Sequence, residues 1–219
     1  MDSDAYLLQH LQQWGYTVDE RPHHAYLAYC GLDQMFTYVL AEGIVKTSII
    51  LKNGKEFNIA YLKGPSIISL LRDEFSTFTS APFNIRVESD RAFFYKVPRV
   101  EFWENLNRDP GLQQYVKDYY RARWNESIRN QQLLAMNSKR GVICGFFLNL
   151  AEQFGHPVEG GTLIEIVVPY EDIAGFCGIS TRNSVNRIIS DLRKDGLISI
   201  QERHVLIPSL DRLREEIAT

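Results

Sequence analysis

"FCGISTRNSVNRIISDLRKDGLI", running from Phe176 to Ile198, carries two periods at once. Val185, Ile188, Ile189 and Leu192 recur at i, i+3, i+4 and i+7, the spacing of a buried helical stripe. Asn183, Arg187, Ser190 and Lys194 recur at i, i+4, i+7 and i+11 on the opposite side. Among Ser180, Thr181 and Ser184, one short hydroxyl is expected to cap the helix. Upstream, "YEDIAGFC" reads as a short helix ending at Gly178. Pro169 is placed for its first turn, and Glu171 and Asp172 suit its positive pole. Downstream, "LISIQERHVLIP" reads as two short strands joined by a polar turn. Helix, turn, helix and hairpin in that order describe a winged helix-turn-helix.

Such a unit suits double-stranded DNA for a geometric reason. The first helix braces the second, and the second lies in a major groove about 12 Å wide. Its inner stripe must be apolar and its outer stripe must offer donors. Arg182, Asn183, Asn186 and Arg187 meet the second demand near the end that points at bases. Arginine can hold guanine, and asparagine adenine, through two hydrogen bonds. Ser180, Thr181 and Ser184 are further candidates, for phosphate. Lys194, Arg203 and His204 are candidate backbone contacts from the helix end and the wing. Taken alone, these side chains also fit a solvated helix face; the brace helix, turn and hairpin decide for DNA.

Working outward, the 219 residues carry a formal net charge of -3, so any nucleic-acid surface must be local. The length suits one domain or two small ones. Cys30, Cys144 and Cys177 are odd in number and form no CxxC pair, so no zinc or iron–sulfur site is indicated. Cys144 and Cys177 lie in apolar runs and are expected to be buried free thiols. The acidic N-terminus lacks a signal-peptide layout, and no apolar run approaches a membrane span. A cytoplasmic setting without membrane partners or cofactors is expected.

Tyr6, Leu7, Leu11 and Trp14 mark a small amphipathic helix. From about His24 to Val97 the texture is β-branched and aromatic, and "FNIRVE" and "RAFFYKV" continue its short-strand rhythm. Asn53-Gly54 predicts a type I′ hairpin turn. Regular short strands imply a jelly roll. Pro110 then opens "PGLQQYVKDYYRARWNESIRNQQLLAM", a helix longer than one sheet needs. Leu112, Val116 and Tyr119 start its apolar seam; Tyr120, Trp124, Ile128 and Leu134 sustain one on an adjacent face. The helix pairs subunits or lies along its own β-domain. A second helix begins near Ser138–Lys139, "EQFGHPVEGG" reads as a loop, and "TLIEIVV" as a strand. The fold class is α+β: a β jelly roll over 1–108, a long dimerisation helix over 109–137 and a winged helix-turn-helix over 138–219.

"YVLAEGIVKTSIILKNGKEFNIAYLKGPSII" and "RNSVNRIISDLRKDGLI", in this order and spacing, resemble the cyclic-AMP receptor protein / fumarate–nitrate regulator (Crp/Fnr) family of transcription factors. "NSKRGVICGFFL" and "AYLKG" are most similar to its positive regulatory factor A (PrfA-like) branch. The resemblance implies a cyclic-nucleotide-binding-like first domain and a homodimer on a near-palindromic operator. It also implies activation, with RNA polymerase as a partner. Arg182 and Arg187 match the family's two base-reading arginines. Asn183 stands where glutamate is usual, so a different half-site is expected. Gly64 is followed by Pro65 where cyclic-nucleotide binders carry glutamate, and "FTSAP" offers no arginine to the phosphate. Cyclic AMP is therefore not expected to bind. The PrfA-like branch resembles a glutathione-responsive switch. Tyr61 and Lys63 match positions near that site, and Arg123 on the long helix is a further effector candidate although it departs from the branch's pattern. Ala60, Leu62 and Glu126 depart too.

Three other readings are weighed. A jelly-roll metal enzyme needs a His-x-His constellation, which His10, His23, His24, His156 and His204 do not form. His23, His24 and Cys30 fit no compact ligand set. A thiol redox sensor would use Cys144 or, beside the reader helix, Cys177; no neighbouring base is evident to activate either. A protein-binding adaptor would lack the steep salt dependence of DNA binding.

Overall fold

Short β-branched and aromatic runs in the first half and longer helical runs in the second build the chain's two compact units, Met1–Trp124 and Asn125–Thr219. The computed structural model describes residues 3–69 and 79–217. The first unit begins with α1 (Ser3–Gln13). It continues through β1 (Val18–Pro22), β2 (Tyr26–Ala28), β3 (Phe36–Glu42), β4 (Ile44–Ile50), β5 (Glu56–Lys63), β6 (Ser66–Ile67), β7 (Asn84–Val87) and β8 (Arg91–Pro98). α2 (Arg99–Asn107) follows, and α3 (Pro110–Met136) runs from the first unit into the second. Two antiparallel four-stranded sheets form, ordered β1-β8-β3-β6 and β2-β7-β4-β5.

Strand alternation sends side chains to two cores. Tyr38, Leu40 and Phe94 from the first sheet meet Val45, Leu62, Ile85 and Val87 from the second. Val39, Tyr95 and Val97 point the other way, against Leu7 and Leu11 of α1, Phe102 and Leu106 of α2, and Leu112 and Val116 of α3. Burial on both faces explains why "TYVL" is buried at four consecutive positions. Hydrogen bonds fix the helices. Tyr115 donates to Asp4 Oδ1 (2.8 Å) and Tyr119 to the Ile67 carbonyl (3.1 Å). Asp109 accepts from the Leu112 N–H at 2.9 Å and from Tyr6 at 3.0 Å, and lies 3.3 Å from His10 Nε2.

The long helix opens on Pro110, as the sequence predicts. Its first apolar seam is buried at Leu112 and Val116. On the adjacent face Tyr120, Trp124, Ile128 and Leu134 are exposed. The Asn53-Gly54 turn differs from its expected type. The Gly54 N–H donates to the Leu51 carbonyl at 2.9 Å, and of the two residues only Gly54 has positive φ, at 77°. The connection is thus longer than a two-residue type I′ loop, because Leu51 and Lys55 pair across its base at 2.8 Å.

In the second unit α4 (Lys139–Phe154) precedes β9 (Gly155–Val158), β10 (Gly161–Ile164), α5 (Tyr170–Phe176), α6 (Arg182–Lys194), β11 (Ser199–Gln201), β12 (His204–Ile207) and α7 (Leu210–Arg214). Its sheet runs β11-β12-β10-β9. The segment "EQFGHPVEGG" is not a plain loop: Glu152–Phe154 end α4, and Gly155–Val158 form a strand paired with β10. Gly155 permits that corner, since a Cβ there would collide with the Ala151 carbonyl oxygen. The strand expected over "TLIEIVV" stops at Ile164, because its ladder to β12 covers only Thr162 and Leu163. Pro169 is the cap before α5 rather than a residue of its first turn. Among the described residues, no helix is long and apolar enough to cross a membrane.

Candidate nucleic-acid interface

α5 and α6 are joined by a short turn with Gly178 at φ +61°, a left-handed conformation natural to glycine. Ile179, in that turn, is buried. Thr181 then caps α6, its Oγ1 accepting from the Ser184 N–H at 3.2 Å. Its hydroxyl also lies 2.9 Å from Ser184 Oγ, so the two hydroxyls brace each other at the helix entry. Val185, Ile189 and Leu192 are fully buried, and Ile188 partly. Burying three such side chains contributes roughly 1.5–3 kcal/mol each, which seats α6 on the domain.

The opposite side is open. Ser180, Thr181, Arg182, Asn183, Asn186, Arg187 and Lys194 are exposed, and Ser184 is half-buried. Five of these side chains lie in the first two turns of α6, so they converge at one end. Ser190, on the same polar stripe, is half-buried and contributes less surface. Arg182 is not idle: its Nη1 lies 3.2 Å from Glu171 Oε1 on α5. The sequence placed Glu171 only as a helix-dipole acid. Eleven positions separate it from Arg182, and nothing in a helical period links them. Lys194 lies 3.6 Å from Asp191 on its own helix.

The wing is a two-residue hairpin, Gln201 pairing with His204. Its corner residues Glu202 and Arg203 have φ +48° and +77°. Arg203 is exposed at the tip. His204 is half-buried, with Nδ1 3.1 Å from the Ile164 carbonyl. That ring edge is therefore occupied by β10, and only the other edge is left to face a backbone. Acidic residues outnumber basic ones across 125–219, so any positive surface must be local; Arg182, Arg187, Arg193, Lys194 and Arg203 are exposed, with Arg182 and Lys194 beside Glu171 and Asp191.

The effector candidates sit in the first unit. Tyr61 is buried on β5, paired with Lys46, whose Nζ lies 3.0 Å from Glu56. Lys63, two positions on, is exposed. Arg123 packs over the Tyr119 ring at 5.8 Å. Residues 70–78, part of the stretch standing where a cyclic-nucleotide pocket would be, lie outside the described residues. His23 and His24 stack on each other with centroids 3.7 Å apart. Among the described residues, no three of His, Cys, Asp and Glu group as a metal site. Cys144 and Cys177 are buried free thiols, as the sequence predicts, and Cys30 is exposed. Burial, with a smaller push from Glu216, raises the Cys144 thiol to about 12, and burial raises Cys177 as well. Thiols so shifted remain protonated and unreactive.

A Crp-like helix-turn-helix domain model matches residues 143–216, which span β9 to α7 and most of α4. The lactate racemization regulatory protein of Lactiplantibacillus plantarum is 47% identical, over 97% of this chain and 96% of that protein. The listeriolysin regulatory protein of Listeria monocytogenes is 27% identical, over 83% of this chain and 76% of its own. The solved structure of FixK2 from Bradyrhizobium japonicum shares the fold at TM-score 0.78 and 15% identity, covering 93% of this chain and 98% of that one. A β-domain, a long helix of the dimerisation type and a DNA-binding winged helix-turn-helix, in a chain 47% identical to a regulatory protein over 96% of that protein's length, make this protein a member of the Crp/Fnr family of transcription factors.

Proposed function

We propose that the chain is a homodimeric, sequence-specific regulator acting on a near-palindromic site, with lactate racemization as the process it controls. The observation that carries the reading is the two-sided α6: Val185, Ile189 and Leu192 sealed inward while Arg182, Asn183, Asn186 and Arg187 stand exposed at its entry. The process is extended from the name of the 47% identical relative. The 27% identical listeriolysin regulatory protein supports placement beside the PrfA-like branch. The exposed stripe of Tyr120, Trp124, Ile128 and Leu134 supports a pairing helix over 109–137, between a sensor at 1–108 and a reader at 138–219. Two reader helices then enter successive major grooves about 34 Å apart. Activation through RNA polymerase follows the family's habit, in the cytoplasm and without catalysis. Cyclic AMP is not the effector, since Gly64-Pro65 offers no carboxylate to a ribose. Tyr61, Lys63 and Arg123 are the candidates for another one. Burial of Cys144 and Cys177 disfavours thiol sensing.

Selection of bound duplexes from a random library tests this reading. A symmetric motif with half-sites about one helical turn apart is expected. Arg187→Ala should weaken binding to that duplex by about 1–3 kcal/mol and relax one position, while Lys194→Ala weakens all sequences alike. Recovery of no motif, or an Arg187→Ala protein with unchanged preference, would overturn it.

A further inference from the structure

The far end of α6 is held by charges that sequence spacing does not pair. The helix closes at Asp195, whose N–H donates to the Asp191 carbonyl at 3.0 Å. The Asp191, Leu192 and Arg193 carbonyls are taken by the Asp195, Leu197 and Gly196 N–H groups, but a carboxylate at this end still meets the negative pole of the helix, where a cation beside it is favourable. Arg140, in the first turn of α4, provides it: Nη2 lies 2.8 Å from Asp195 Oδ2. The same guanidinium donates from Nε to Glu216 Oε2 at 2.7 Å and from Nη2 to Glu216 Oε1 at 3.3 Å. The Arg140 and Glu216 side chains are each 30% exposed. A second arginine, Arg212 of α7, places Nη2 3.4 Å from the Asp195 carbonyl oxygen. The C-terminal segment is close by: a Cβ on Gly141 would stand 2.9 Å from the Glu216 carbonyl oxygen.

We infer that Arg140 is a positioning residue for the reader helix, and that the segment bearing Arg212 and Glu216 is part of the DNA-reading apparatus. The inference rests on the proposal that α6 reads DNA. Its physical basis is leverage. α6 has 13 residues, and its Arg182 end lies about 10 Å along the axis from the buried Ile189. Releasing the Asp195 end and letting the helix tilt by about 5° displaces the Arg182 end by about 0.9 Å. Bidentate base contacts tolerate about 0.5 Å; point-charge contacts to phosphate tolerate more. The clamp therefore acts on discrimination rather than on attraction.

The test compares two probes: the duplex recovered by selection and a scrambled duplex of equal length. Arg140→Ala should weaken the selected duplex about tenfold. It should leave the scrambled duplex within about twofold and the slope of log affinity on log salt unchanged. Arg140→Lys should fall between, because an ammonium serves one carboxylate at a time. Adding Asp195→Asn to Arg140→Ala should cost nothing more. If a thermal melt shows Arg140→Ala unfolded, Arg140→Lys is judged by the same criteria. Intact preference in these variants, or equal loss on both duplexes, overturns the inference. A wild-type protein that itself prefers no duplex faults the DNA reading instead.

Discussion

Replacing the wing corner Glu202-Arg203 with Asn-Gly should make the protein more stable and a poorer DNA binder. Both native residues occupy the left-handed region, at φ +48° and +77°. That conformation costs a side-chain-bearing residue roughly 1–2 kcal/mol. Asparagine tolerates it better and glycine without penalty, though glycine returns about 0.5–1 kcal/mol through the freedom it loses on folding. The net gain is about 1 kcal/mol, a melting-temperature rise of roughly 2–4 °C for a chain of this length. Against it, each wing arginine that lay on a phosphate should make the log–log salt slope shallower by about 0.9. Calorimetry and a salt titration on the selected duplex read the two effects separately. Glu202→Asn alone keeps Arg203, so it should gain part of the stability and none of the binding loss. A melting temperature that falls in the Asn-Gly variant refutes the left-handed corner. An unchanged slope refutes the wing contact.

Three further outcomes are expected. Trp124→Glu, with its native side chain 68% exposed on α3, should convert a dimer to monomer in analytical ultracentrifugation and weaken operator binding; a dimer that persists removes the pairing stripe. In native protein, thiol alkylation followed by mass spectrometry should label Cys30 at once and spare Cys144 and Cys177 until denaturant is added, since the Cys144 thiol is raised to about 12. Hydrogen bonding from the Leu112 backbone, and then from Tyr6, together with nearby His10, holds the Asp109 carboxyl below its ordinary value. A lowered carboxylate stabilises the fold above its unfolded value, about 3.9, and that gain is lost as pH falls through the folded value. The melting-temperature gap between wild type and Asp109→Asn should therefore close as pH drops below about 4; a gap constant from pH 3 to 7 would contradict the bond.

The reader helix was legible because its evidence is local. Val185, Ile189 and Leu192 recur at helical spacing, and one period decides both the buried side and the open one. The β-domain was legible in texture for the same reason. What stayed hidden depends on partners remote in sequence. Nothing in "GHPV" says that β10 will lie beside it. Glu171 with Arg182, and Arg140 with Asp195 and Glu216, are joined only by the packing of helices. Turn chemistry misled in both directions. Asn53-Gly54, which carries the type I′ signature, makes a different turn, whereas Glu202-Arg203, which carry no such signature, put two left-handed residues in a two-residue hairpin corner.

The acidic excess of residues 125–219 has a kinetic consequence. A head with little overall positive charge is held weakly by random genomic sequence, where counterion release supplies nearly all the attraction. It should detach from wrong sites quickly and spend its dwell time on the sequences its reader helix selects. Promoter occupancy would then follow the number of free molecules closely, instead of being buffered by a reservoir of loosely held protein along the chromosome.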